Sequence, residues 1–520
     1  MKNRLLSLFI GIFLSSCTVG TPFTVHVPSV EPLPIDSSYN SIPDEEWGKG
    51  CKKQEDAMRK GFEGDVGQIG MPCYQIDLTL YPETGTYTGK ELVTFHNTSD
   101  TSLSEIVFRL YPNAPVIYGG FLEVDEALVN GKPAIITKFL SDNTGLKITL
   151  PNLLMKGENV EIQLVFSGSL PEDISSDRFL YGTFYQGDQN DLWVIANAFP
   201  ILANLSGGEW SAREVLPGGD PVTSQAALYS FWVTSPLDWK IVATGTKIEE
   251  VKISEKLLRS SFKSGPVRDF MIVAGSQLNL INVNTAEGIQ INHWSTSGAA
   301  EENSDIALKI ARQALEIFQA EFGPYPYKEL DIVAVPLDNA LGVEYPGLIL
   351  LQDGLYQTPD EYNTFAIVIA HEIAHQWWYN LVGNDVYQAP WLDEALATYS
   401  GYLYARRLSP DFYTGVTEYQ GGRVNAFESE FGPQPFDRPI DFYLSNEKAY
   451  SAIVYQKGAL FLDALRVEIG DRDFSQALKT YYSTYRYQMV VPNDLLNQFE
   501  NSCSCQLAGF FSDWGVQQIP

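Results

Sequence analysis

Residues 365–380 read FAIVIAHEIAHQWWYN, and the histidine pair inside this stretch, His371 and His375, decides how the rest of the chain is read. Phe365, Ile367, Val368, Ile369, Ile373, Trp377 and Trp378 leave almost no polar face, which predicts a buried helix. On a helix, side chains four residues apart project from one face, so the two imidazoles are close enough to grip one metal ion. Glu372 then lies beside that ion rather than on it, placed to take a proton from a water molecule. Two imidazoles and a carboxylate buried among hydrocarbon are costly unless something compensates them. A metal does.

Eighteen residues separate His375 from Glu394, which lies near the start of a second helical stretch, WLDEALATYSGYLYARR at 391–407. Two histidines and a carboxylate leave a fourth coordination position open, as catalytic zinc sites do. HExxH, eighteen residues and Glu is also the ligand spacing of the gluzincin metallopeptidases. Four blocks extend the resemblance to the aminopeptidase N-like zinc metallopeptidases, which include leukotriene hydrolase. HEIAHQWWYNLVGND (371–385) resembles that family's HExxHQWWGNLV block, and PWLDEALATY (390–399) resembles its WLNEGFATY block. AYSAIVYQKGALFLDAL (449–465) is similar to its tyrosine block, and LGVEYPGLIL (341–350) occupies the place of its G-x-M-E-N exopeptidase signature. Weaker likeness covers roughly residues 70–520, from WVTSPLDWKIVATG (232–245) to VVPNDLLNQFE (490–500) and FFSDWGV (510–516).

The resemblance implies one zinc ion on His371, His375 and Glu394, with Glu372 as general base and later as proton donor to the leaving amine. It implies Tyr455 as hydrogen-bond donor to the developing oxyanion, with Tyr450 as a second candidate. Glu344 would anchor the free α-amine of a peptide, making the chain an aminopeptidase. A thermolysin-type endopeptidase, using the same ligands without Glu344 as anchor, and an inactive peptide-binding surface lipoprotein are the alternatives. The chain departs from the family at several positions. Leu341, Val343 and Tyr345 replace signature residues, Tyr379 replaces a glycine, Asp393 an asparagine, and Gly401 a second glutamate. Longer relatives add a C-terminal helical domain that closes over the cleft, and we expect none here.

The chain has 520 residues, 45% hydrophobic and 13% aromatic, which is the composition of a globular protein able to bury large cores. A formal charge of −29 repels nucleic acid and excludes it as a partner class. Residues 1–17 form a targeting signal: Lys2 and Arg4 precede an apolar run at 5–14 that is too short to span a bilayer. The run ends in Leu-Ser-Ser-Cys17, which resembles the bacterial lipobox. Lipidation of Cys17 would anchor an exported lipoprotein on a membrane, facing the periplasm or the cell exterior. Residues 18–50 carry five prolines without periodicity and read as a tether. Export permits disulfides; Cys51 with Cys73 is the favoured pairing, leaving Cys503 and Cys505, among three possible connectivities.

Residues 51–285 read as β. Ile76, Leu78 and Leu80 alternate with Asp77 and Thr79, and Val160, Ile162, Leu164 and Phe166 repeat that period of two. From 286 to 520 the pattern turns helical, beginning with EENSDIALKIARQALEIFQAEFG, which has an acidic first turn and a glycine stop. The strand LDIVAVPL follows, and Glu344 falls on or just after an edge strand. The expected fold is α+β in two domains. By resemblance these are an N-terminal all-β, saddle-like domain and a thermolysin-like, mainly α catalytic domain with a small sheet. His26, His96 and His293 sit without evident partners and carry no assigned role.

Overall fold

A computed structural model gives the fold and describes residues 47–68, 70–172, 183–186, 192–338 and 340–516. Cys17, His26, the targeting signal and nearly all of the 18–50 tether lie outside the described residues. The first domain is built from β-sheets, the largest of them eight-stranded. At its centre the strand Cys73–Tyr81 pairs antiparallel with Thr86–His96 and parallel with Leu228–Pro236. Two four-stranded sheets pack with it into one apolar core. The strand Asn159–Ser169 keeps the alternation read from its sequence, with Val160, Ile162, Leu164 and Phe166 all buried. The strand Cys73–Tyr81 does not, because Asp77 on its polar side is buried too, where Arg259 meets it at 3.0 Å. A period of two reads only one face, and here both are covered.

The second domain holds a five-stranded sheet whose edge strand, Gly342–Tyr345, carries Glu344 and pairs antiparallel with Leu348–Gln352. The far edge is the hairpin Asn279–Asn284 and Gln290–Ser295, which straddles residue 285. Alternation is alike on both sides of that point, so sequence period does not mark the change of sheet. Helices then dominate: α1 (Ala299–Glu302), α2 (Ser304–Phe322), α3 (Thr364–Ala374), α4 (Trp391–Leu408), α5 (Pro410–Phe431), α6 (Glu447–Ala449), α7 (Gly458–Ile469), α8 (Asp471–Tyr485), α9 (Pro492–Cys503) and α10 (Ala508–Asp513). Helix α2 stops at Gly323, whose φ of 134° suits glycine. Among the described residues no helix is long and apolar enough to cross a membrane.

The two domains are fastened at several points. Arg59 N–H donates to the Pro326 carbonyl at 2.8 Å, and Asp65 accepts from Arg486 at 2.9 Å and from the Tyr487 hydroxyl at 3.0 Å. The loop at 212–223 meets the second domain through Arg213 and Asp385 at 3.0 Å and through Tyr387, whose hydroxyl donates to the Pro221 carbonyl at 3.3 Å. Cys51 is joined to Cys73, and Cys503 to Cys505.

Candidate metal centre and catalytic cleft

Helix α3 begins where the Asn363 side chain accepts from the Phe365 N–H at 2.8 Å, and it runs buried through the second domain. Its last turn presents His371 and His375, with Nε2 atoms 3.1 Å apart. Helix α4 packs against it and delivers Glu394, whose Oε2 lies 3.4 Å from His371 Nε2 and 3.5 Å from His375 Nε2. Three donor atoms thus form a nearly equilateral triangle. Two ligands bonded to one zinc ion at about 2 Å, at a tetrahedral angle, stand roughly 3.3 Å apart. The residues fit a metal. Glu394 Oε2 is buried and makes no hydrogen bond, so a cation would satisfy it.

The outward nitrogens of both rings are held. His375 Nδ1–H donates to the Trp378 carbonyl at 3.0 Å, which leaves the Nε2 lone pair facing the triangle. His371 Nδ1 meets the Thr398 hydroxyl at 3.4 Å. Thr398 follows Glu394 by four residues, so helical periodicity could have identified it. Gly401 borders Ile367 and reaches neither ligand.

Glu344, Glu372, Asp393 and Glu394 are all buried in this one region. Glu344, Glu372 and His375 bring donor atoms within 4.8 Å of one another. Burial, and then Asp220, push the Glu344 carboxyl well above the usual range, and burial followed by Glu344 does the same to Glu372. Burial would raise Glu394 as well, but the adjacent imidazoles of His371 and His375 pull it down to about 2. Burial disfavours protonation of His375, yet Glu344 and Glu394 outweigh it and raise its pKa well above the ordinary imidazole value. Such an excess of carboxylate around two imidazoles is an environment that favours a divalent cation.

Tyr455 arrives on a π-helical turn, Tyr450–Lys457, directly before α7. Its ring stacks on His371 with centroids 5.8 Å apart, and its hydroxyl donates to the Glu394 carboxylate. Tyr450 packs edge-on against Tyr455, at 5.5 Å between centroids. A side chain on Gly458 would collide with Ala395, so this glycine lets α7 approach α4 and brings Tyr455 to Glu394. The structure therefore brings together the six metal, catalytic and substrate-binding residues expected from the sequence, while Cys17 lies outside the described residues. Thr398, the Trp378 carbonyl, Gly458 and the 212–223 loop were missed. Two of the other histidines do have partners: His96 Nδ1 meets Asn159 Oδ1 at 2.6 Å and His293 Nε2 meets the Tyr356 hydroxyl at 2.7 Å. Sequence neighbours could not reveal contacts across 63 positions.

Residues 306–514 match the model described as the Peptidase family M1 domain. By that match and by its relatives the chain is similar to the aminopeptidase N-like M1 family. It is 24% identical over 482 residues to Aminopeptidase M1 of Arabidopsis thaliana, covering 87% of this chain and 51% of that protein. With Aminopeptidase N of Oryctolagus cuniculus it shares 25% identity over 394 residues, or 72% of this chain and 40% of the relative. The chain thus spans about half the length, or less, of such curated relatives. The crystal structure of an M1 zinc metallopeptidase from Deinococcus radiodurans has the same fold, with a TM-score of 0.64 and 20% identity, covering 86% of this chain and 93% of the other. A mutant of that enzyme bound to a Tyr-Ser-Ala substrate aligns with a TM-score of 0.63 and 21% identity, over 86% of this chain and 94% of the other.

Proposed function

We propose that this chain is a zinc-dependent aminopeptidase that removes single residues from the free N-termini of peptides. The observation that carries the reading is the position of Glu344, a buried carboxylate whose donor atom lies within 4.8 Å of those of Glu372 and His375. A zinc ion on His371, His375 and Glu394 would supply Lewis acidity to the scissile carbonyl and to the attacking water. Glu372, its Oε2 buried without a hydrogen bond, takes the proton of that water and passes it to the leaving amine. The Tyr455 hydroxyl turns from Glu394 toward the developing oxyanion, a contribution typically worth about 3 kcal/mol. Glu344 holds the substrate's α-ammonium by a charge-assisted contact and limits the cleft to one residue on that side. The tripeptide bound to the Deinococcus relative supports peptides as the substrate class.

The test uses a panel of fluorogenic aminoacyl substrates beside N-acetylated peptides, with and without a chelator. Free-amine substrates are expected to be cleaved, the chelator to abolish cleavage, and the N-acetylated peptides to survive. Efficient internal cleavage of N-acetylated peptides would overturn the aminopeptidase reading in favour of an endopeptidase. We further propose that lipidated Cys17 holds the enzyme on a membrane after export, a reading supported by the lipobox-like sequence. The Cys17→Ala chain should then leave the membrane fraction, and recovery of the unaltered chain in the soluble fraction alone would refute it.

A further inference from the structure

Tyr379 has a φ of 120°, a backbone conformation that favours glycine, yet it carries a large buried side chain. Such a conformation persists only where its surroundings over-determine it, and here they do. Arg268 Nε donates to the Tyr379 carbonyl at 2.6 Å, the Tyr379 hydroxyl donates to Asp269 Oδ2 at 2.6 Å, and the Tyr379 N–H donates to the Val382 carbonyl at 2.9 Å. Arg268 and Asp269 belong to the first domain, on the loop between the strands Leu257–Lys263 and Met271–Gly275. Both are buried. Arg268 also donates to the Ser224 carbonyl at 3.0 Å and to the Gln488 carbonyl at 2.7 Å, so its guanidinium joins both domains.

The residue before Tyr379 is Trp378, whose carbonyl accepts from His375 Nδ1 at 3.0 Å. The φ of Tyr379 sets the plane of the peptide that contains this carbonyl. We propose that Tyr379 is a positioning residue for His375: pinned by Arg268 and Asp269 of the first domain, it fixes the Trp378 carbonyl that aims the His375 imidazole at the metal triangle. The first domain thereby acts on the geometry of the metal site without contributing a ligand. An imidazole whose outward N–H keeps a fixed acceptor is held in one tautomer and one orientation, and loss of such a partner typically weakens metal binding ten- to a hundredfold. Burial raises the Asp269 carboxyl to about 7, against which the Tyr379 hydroxyl and Arg268 favour the ionised, accepting form.

The proposal rests on the metal reading above, and its test separates the two. The unaltered chain, Tyr379→Phe and Asp269→Asn are compared by the rate of zinc loss to excess chelator and by the visible spectrum of the cobalt(II)-substituted protein. Tyr379→Phe keeps the ring but loses the hydroxyl; zinc loss is expected to quicken ten- to a hundredfold and the cobalt bands to shift. Asp269→Asn offers the Tyr379 hydroxyl only a weaker, neutral acceptor and is expected to quicken zinc loss less than Tyr379→Phe does, while zinc loss unchanged in both variants would overturn the proposal. If Tyr379→Phe leaves zinc loss and the cobalt spectrum unchanged, the tie only holds the domains together and this proposal falls alone. If the unaltered chain takes up no zinc, the metal reading and this proposal fall together.

Discussion

Gly458→Ala isolates the packing that assembles the cleft. Gly458 has φ −59° and ψ −43°, ordinary helical values, so its backbone does not need glycine. What needs glycine is space: a methyl group there would lie 2.6 Å from the Ala395 Cβ, where ordinary contact begins at 3.4 Å. Both atoms sit on helical backbone, so no flexible side-chain end can move aside, and α7 and α4 must part by about 1 Å. Overpacking of this kind costs about 1–3 kcal/mol, against which alanine's better helix propensity returns about 1 kcal/mol. The stability loss should therefore be about 1 kcal/mol. The effect on turnover should be larger, because Ala395 adjoins Glu394 and Gly458 lies three residues past Tyr455. A 1 Å misplacement costs on the order of 100-fold in rate, about 2.7 kcal/mol of barrier. Turnover of an aminoacyl anilide, bound metal and thermal unfolding would be measured together. Turnover within twofold of the unaltered chain would refute the claim that this contact sets the distance between Tyr455 and Glu394.

Glu372→Gln should keep the metal and lower turnover by on the order of 1,000-fold or more, and undiminished turnover would show that another group takes the proton. His293 is buried and its pKa is lowered by burial to about 4, so it stays neutral in the folded chain where the unfolded chain protonates it near 6.5. Its contribution to stability is therefore complete above pH 6.5 and fades as pH falls toward 4, by up to about 3 kcal/mol. The unfolding free energy of His293→Gln should fall less steeply over that window, and equal slopes would contradict this. Loop closure assigns about 3 kcal/mol to the Cys51–Cys73 link, with its separation of 22, and roughly 1.5 kcal/mol to Cys503–Cys505, with a separation of 2. Replacing the first pair by serine should lower the unfolding temperature more than replacing the second; the reverse order would sink that argument.

The metal site was legible because its determinants are local. An i, i+4 histidine pair in an apolar helix and a carboxylate at a fixed offset need only helical geometry to be interpreted. Glu344 and Tyr455 were reachable only through resemblance, since a lone glutamate before Tyr-Pro and one tyrosine among 28 carry no signal of their own. Nothing local marks Arg268 and Asp269, whose burial depends on contacts with Tyr379 and Gln488 far along the chain. The closeness of Gly458 to Ala395 depends on how two helices dock, which no local pattern reveals. The alternation in the first domain gave its strands but not their order, because the parallel partner of Cys73–Tyr81 lies far along the chain.

That parallel pairing has a consequence for the order of assembly during synthesis. One edge of the strand Cys73–Tyr81 finds Thr86–His96 at once, through a tight turn. The other waits for Leu228–Pro236, roughly 150 residues further on, or roughly 8 to 30 seconds at common rates of translation. Hairpins close in microseconds, so for nearly all of that interval the nascent hairpin has the Cys73–Tyr81 edge bare of partners, and until Asn159–Ser169 emerges the Thr86–His96 edge as well. A second nascent chain on the same message would meet such an edge as a ready template. The growing chain is thus most exposed to aggregation before residue 228 emerges, and a chaperone that shields this hairpin would matter more to yield than one acting on the helical half.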